Sequence, residues 1–336
     1  MRWISREIYC SILCTTHDMQ RCRLRRRRRR STGNARHRKQ GRRRMTGAAG
    51  HETVSTSSSS SSSSCVRGYL KLPTLNVERG GRVRLLALHS FRTSAKIFMQ
   101  QMARAGWMMD EAKGTESDGS GVGTCYAPEI VFLDAPFVAT KSPGAKIEQF
   151  FPGGPYREWW NASDDGLVYH GLEETIKYVN AFATREGPFH GVIGFSQGGS
   201  LAALLCALQQ ERRCVAASGA STPQDDAWPA LTFDDFQACI CICGLTTRPK
   251  ALQRFYRDKF EVPSMHFLGS ADSLTPFSRR LVANFELADV VEHSYGHVVP
   301  SLAAADARER LAVFLKKYCC AKTSGASHSH EATPSL

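Results

Sequence analysis

The chain has 336 residues, enough for one large domain or two small ones, and 42% of them are apolar, ample for a core. Its net charge of +13 is uneven: residues 1–50 hold 16 Lys and Arg against Glu7 and Asp18, whereas the remaining 286 sum to −1. No run of 18 apolar residues exists and residues 1–20 lack the apolar centre of a signal sequence, so neither a membrane-spanning helix nor a secretory leader is expected.

The basic head contains Arg25 to Arg30, Arg42-Arg43-Arg44 and the serine tract Ser57 to Ser64, with no apolar periodicity. Such a segment cannot bury enough surface to offset chain entropy, and residues 1–68 are expected to be disordered. Three readings of it stay open: an organellar targeting segment, a nuclear or nucleic-acid-binding tract, or an extension without a role. Met45 as the true start would remove the Arg tract. The 12 cysteines are scattered through apolar segments, which points to reduced thiols and a cytoplasmic or nuclear location rather than a disulfide framework.

From residue 69 to 318 short β-rich runs alternate with amphipathic helical runs, the pattern of a mostly parallel sheet covered on both faces. An edge strand is expected at 69–77 and the first firm strand at 82–88, followed by His89-Ser90-Phe91. A helix follows from Ser94, which can cap it, through Ile97, Phe98 and Met102 to Gly106. A polar insertion at 114–123 precedes a strand at 129–134. Residues 137–165 have no clear period but concentrate Phe150, Phe151, Tyr156, Trp159 and Trp160, which suits either the wall of a site or a cap on the core. A helix at 171–185 turns Leu172, Ile176, Val179 and Phe182 to one side.

Next comes Gly191-Val192-Ile193-Gly194-Phe195-Ser196-Gln197-Gly198-Gly199, a buried strand over 190–195 ending in Gly-x-Ser-x-Gly. A helix follows directly, with Leu201, Leu204, Leu205 and Leu208 as one apolar stripe. Strand, tight turn and helix in that order make the nucleophile elbow of an α/β-hydrolase, with Ser196 exposed on the turn and Gly194 and Gly198 where only small residues fit. The remaining strands are expected at 237–243, 264–268 and 289–293, and a last helix at 301–318. Cys239, Cys241 and Cys243 alternate with Ile240 and Ile242 and so read as one face of a strand rather than a zinc site. Cys319-Cys320 and the tail histidines His328 and His330 are assigned no role, and residues 321–336 are expected to be a disordered tail.

A nucleophilic serine needs a base for its proton and a carboxylate to orient that base, and in this fold the chain order is Ser, acid, His. Asp272 follows the strand at 264–268 through Gly269-Ser270-Ala271, and His297 follows the strand at 289–293 through Tyr295-Gly296. The alternatives fit less well. Asp134 precedes the serine, Asp225, Asp226, Asp234 and Asp235 lie in a polar loop before a strand, and Asp289 opens a strand. His266 and His293 lie within strands. The oxyanion requires two backbone N–H donors, which the elbow offers at Gln197 and the loop after the first firm strand at Phe91.

Together His89-Ser90-Phe91 with Phe98, Asp134-Ala135-Pro136, Arg157 to Trp160, Gly187 to Gly191 running into the elbow, Gly269 to Asp272 and His293 to Pro300 resemble the FSH serine hydrolase family. Within that family the resemblance is nearest to the OVCA-type esterases and covers residues 82–318. It implies an α/β-hydrolase core over 69–320, no cofactor and no metal, and hydrolysis of a small carboxylic ester or thioester. Position by position it assigns Ser196, Asp272 and His297 to the triad and Phe91 and Gln197 to the oxyanion donors. Two departures bear on the hole and on acyl size: Ser90 stands where many members have Gly, and Tyr295 where they have Gly. The competing reading is a non-enzymatic or regulatory binder on the same fold. Nucleic acid would be a partner only if the Arg tract is functional, and the oligomeric state is left open.

Overall fold

The computed structural model describes residues 65–72, 82–109, 115–116, 125–219 and 228–320. The basic head up to residue 64, most of the insertion expected at 114–123, Asp225 and Asp226, and the tail 321–336 lie outside the described residues. Strand β1 is Cys65–Tyr69, β2 is Arg84–Leu88, helix α1 is Ala95–Arg104, and β3 is Glu129–Leu133. Then come α2 (Ala145–Phe150), α3 (Leu172–Glu186), β4 (Gly191–Phe195) and α4 (Gln197–Ser218). The chain closes with β5 (Ala238–Ile242), β6 (Ser264–Gly269), α5 (Thr275–Val282), β7 (Ala288–His293) and α6 (Ala305–Cys319).

The seven strands form one sheet in the order β1-β3-β2-β4-β5-β6-β7, parallel throughout except for β1, which runs antiparallel to β3. Alternation along each strand sorts the core into two layers. Leu86, Leu88, Val131, Val192, Cys239 and Cys241 face α3 and α4. Leu85, Ala87, Ile130, Ile193, Ile240 and Ile242 face α1 and α6. This is the α/β-hydrolase fold, with helices on both sides of a largely parallel sheet.

Three expectations are corrected. The edge strand starts earlier, at Cys65–Tyr69, inside the stretch expected to be disordered: it pairs with β3, and Arg67 reaches Glu129 of that strand (3.3 Å) and Glu186 (3.1 Å), while residues 73–77 of the strand expected at 69–77 lie outside the described residues. Helix α4 has no single stripe: every residue from Gln197 to Gln209 is buried, since Phe233, Phe236, Leu252 and Phe255 share a core cluster with it. The last helix starts at Ala305 rather than 301, because the preceding segment bonds elsewhere: the Trp107 indole donates to the Pro300 carbonyl (2.7 Å) and the Leu302 amide to Ala105 (2.9 Å). No helix among the described residues is long and apolar enough to cross a membrane.

Candidate active site

The residues singled out in the sequence converge beyond the carboxyl ends of β2, β4, β6 and β7, where open parallel sheets bind their ligands. Ser196, between β4 and α4, has φ 55° and ψ −113°, a strained backbone for a residue with a side chain. Its amide donates to the Ile242 carbonyl at 2.9 Å. The flanking glycines are required by contact. A Cβ at Gly194 would run into the Gly198 carbonyl, and one at Gly198 into the carbonyls of Leu88 and His89. That second contact presses the elbow onto the loop carrying Phe91.

Asp272 and His297 come to Ser196 from separate strand ends. His297 Nδ1 lies 2.7 Å from Asp272 Oδ2 and its Nε2 2.8 Å from Ser196 Oγ. A carboxylate can only accept, so Nδ1 carries the proton, and in the neutral ring Nε2 accepts from the serine hydroxyl. The other Asp272 oxygen accepts the Leu274 amide at 2.9 Å. The loops that carry Asp272 and His297 are bonded to each other through Ser270 N to His293 O (2.8 Å) and Ala271 N to Tyr295 O (3.2 Å). Burial pushes the Asp272 carboxyl upward, but hydrogen bonding and charge from His297, with the Leu274 amide, outweigh it and hold it below the ordinary value. Burial likewise disfavours the His297 cation, yet its bonds to Asp272 and to the Cys243 sulfur prevail and raise it to about 9.

Several of the rejected candidates among the described residues are held elsewhere. Asp134 accepts the Ala95 amide at 2.7 Å at the start of α1, Asp289 pairs with Arg310, and Asp235 with Arg212 and Arg213. His266 is buried on Ser264 Oγ at 3.0 Å, and the His293 ring packs beside Tyr295. Tyr295 itself is 54% exposed, and its ring leans on His293. Ser90 is accommodated: φ is positive among the described non-glycine residues only at Arg92, Ser196 and Cys243, and the buried Ser90 hydroxyl lies 3.2 Å from Thr93 Oγ1.

Four features went unread in the sequence. His89 Nε2 accepts the Ala135 amide (3.0 Å), so Nδ1–H donates to the Ser90 carbonyl (2.8 Å), and burial lowers the ring to about 4. The Gln197 side chain clamps the aromatic segment, accepting from Trp159 N (3.1 Å) and donating to Trp160 O (2.9 Å). Arg92, at φ 52°, pairs with the buried Glu158 at 3.2 Å and fixes the turn after Phe91. Cys243 leaves the face of Cys239 and Cys241, contrary to the alternation: its φ of 48° just past β5 turns it into the opposite core layer, next to Asp272 and His297. The Arg157 to Trp160 motif was the one available signal for the second and third; the others follow from long-range packing.

The family model described as serine hydrolase (FSH1) matches residues 80–308. The chain belongs to the FSH1 serine hydrolase family. As a member of that family it is similar to "Esterase OVCA2" of Danio rerio, 35% identical over 175 residues, 48% of this chain and 68% of the relative. It is 29% identical to "Esterase OVCA2" of Homo sapiens over 252 residues, 70% of this chain and 96% of the relative. "Esterase CG5412" of Drosophila melanogaster is 26% identical over 239 residues, 68% of this chain and 72% of that one. A solved structure, Zea mays acyl-protein thioesterase 2, is a more distant likeness at 12% identity and a TM-score of 0.46, covering 76% of this chain and 100% of its own. In this FSH1 serine hydrolase the elbow and the two loops opposite it are the features on which a hydrolytic reading can stand.

Proposed function

We propose that this protein hydrolyses carboxylic esters or thioesters through an acyl-enzyme, with Ser196 as nucleophile, His297 as base and Asp272 as its orienting carboxylate. Ser196 Oγ attacks the acyl carbonyl as His297 Nε2 takes its proton, and Asp272 stabilises the imidazolium. The imidazolium then protonates the departing alcohol or thiol. Water attacks the acyl-serine with His297 again as base, which releases the carboxylic acid and restores the serine. The backbone amides of Phe91 and Gln197 receive the oxyanion, each donor contributing about 3 kcal/mol to the transition state. In favour of Gln197, its amide is the first of α4 and has no acceptor within that helix.

The observation that carries this reading is the unbroken hydrogen-bond chain from Asp272 to His297 (2.7 Å) and on to Ser196 (2.8 Å). Family membership and relatives named esterases support it. Trp159 and Trp160, held by the Gln197 side chain next to Ser196, favour an apolar acyl group. The catalytic unit is taken as residues 69–320 extended by β1. Eight cysteines among the described residues, Cys65, Cys206, Cys214, Cys239, Cys241, Cys243, Cys319 and Cys320, are free thiols, in keeping with a reducing compartment such as the cytoplasm or nucleus.

A fluorophosphonate probe tests the reading. It should label the wild type and fail to label Ser196→Ala, whereas no labelling of either protein overturns the reading in favour of a binding protein. A graded panel of p-nitrophenyl esters and acyl thioesters then reads acyl length and leaving atom.

A further inference from the structure

The proposed reaction makes no use of Cys243, although its sulfur sits beside two members of the triad. Cys239 and Cys241 face the α3 and α4 layer, and the left-handed φ of 48° at Cys243 ends that alternation and turns this thiol to the other side of the sheet. There it is buried, within hydrogen-bonding reach of His297 and Asp272, and its contact with the Val298 carbonyl is long at 3.9 Å. The sulfur, a carboxylate oxygen of Asp272 and a ring nitrogen of His297 all lie within 4.8 Å of one another. Sulfur, oxygen and nitrogen donors in a small, largely buried group are the mixed set that a tetrahedral, borderline-soft divalent cation takes. Around zinc, with bonds of about 2.0–2.3 Å, neighbouring ligand atoms stand roughly 3.3–3.8 Å apart, so the sulfur would close in by at most about 1 Å while Nδ1 and the Asp272 oxygen facing it, now 2.7 Å apart, would open by about 0.6 Å.

We propose that Cys243, Asp272 and His297 form an inhibitory Zn²⁺ site. This inference rests on the triad reading above for its effect on activity, and on the three donors alone for binding. The cation enters between Asp272 and the Nδ1 that faces it. The thiol releases its proton to solvent as the Zn–S bond forms, and the Nδ1 lone pair is taken by the metal. The proton that Nδ1 carried moves to Nε2, and if the ring starts as imidazolium, the proton already on Nε2 stays and the other is released. No electron is transferred. In either case Nε2 now bears hydrogen and donates to Ser196 Oγ, so nothing remains to accept the serine proton. Such a device is invisible to motif reading because the three residues lie 29 and 25 positions apart.

The test uses the full chain, stripped with EDTA and titrated with zinc chloride. Bound zinc is counted by equilibrium dialysis, and hydrolysis of a p-nitrophenyl ester is followed in parallel, each protein being compared with its own zinc-free rate. Wild type and Ser196→Ala should each bind one more zinc than Cys243→Ser or Cys243→Ala. Half-inhibition of either Cys243 variant should require at least tenfold more zinc, and EDTA should restore the wild-type rate. Equal zinc stoichiometry, or equal zinc sensitivity, in wild type and the Cys243 variants overturns the proposal. If the wild type hydrolyses no ester, the triad reading fails by itself, and the zinc count still decides the site.

Discussion

A histidine between a carboxylate and a serine hydroxyl can act as a base only while its Nε2 lone pair is free, and the surroundings of His297 oppose that state. With its proton affinity raised to about 9 from 6.5, the ring is mostly charged at neutral pH. Ester hydrolysis should therefore climb between pH 7 and 9 and reach half its maximum near the upper value; a profile already flat at pH 7 would contradict the assignment. For the fold the sign is opposite: the favourable pairing is fully present below pH 6.5 and is lost as pH rises through about 9. Asp272→Asn should lower kcat by roughly 10³–10⁴, because an amide no longer enforces the Nδ1–H tautomer, and should shift the pH midpoint downward. That Ser196, Asp272 and His297 would come together was legible because Ser196 follows β4 directly, Asp272 follows β6 through Ala271 and His297 follows β7 through Gly296, in the order the proposed chemistry requires. The clamp by Gln197 and the turned Cys243 were not, since one depends on a segment 37 residues away and the other on a single backbone angle.

At the level of elements, the elbow is a contact between carbonyls and missing side chains. Gly198→Ala would drive a methyl group into the Leu88 and His89 carbonyls, which belong to backbone and cannot rotate aside. The expected cost is about 3 kcal/mol or more, seen as a fall of roughly 6–12 °C in Tm together with loss of fluorophosphonate labelling. An active Gly198→Ala protein of unchanged Tm would show that the loop gives way. Helices α1 and α3 were readable from sequence because a polar face and an apolar face are both present, and Ser94 caps α1 as expected, accepting the Ile97 amide at 3.3 Å. Helix α5 was not anticipated: only Ser278 and Leu281 of its eight residues are buried, too few to set a period. The early start of the edge strand, at Cys65, was not anticipated because pairing with β3, 60 or more residues on, leaves no local mark.

For the whole molecule, two imidazoles locked inside the packed layers govern behaviour in acid. Burial lowers His89 to about 4 and His266 to about 3 from an ordinary 6.5. Both are neutral when folded, so the unfolded chain takes up protons first, and stability is complete above pH 6.5 and drains away as pH falls towards those values. Each contributes about 1.4 kcal/mol per pH unit across its own window. Thermal melts from pH 7.5 to 4.5 should show a steady fall in Tm that His266→Phe makes shallower; an unaltered slope would remove His266 as a cause. The layered architecture itself was legible from the alternation of strands and helices. Sheet order was not, because it depends on which neighbours the crossovers select.

The terminal position of β7 in that order carries a consequence. Strand β4, which leads into Ser196, stands mid-sheet with strand neighbours on both sides, whereas β7 has a strand neighbour, β6, on one side alone and only Val291 along it is buried. On the proposed mechanism, the proton acceptor is thus suspended from the rim while the hydroxyl it serves is anchored at the hub. Any disturbance that peels the rim silences turnover while the hub still stands, so loss of chemistry precedes collapse of the body that houses it.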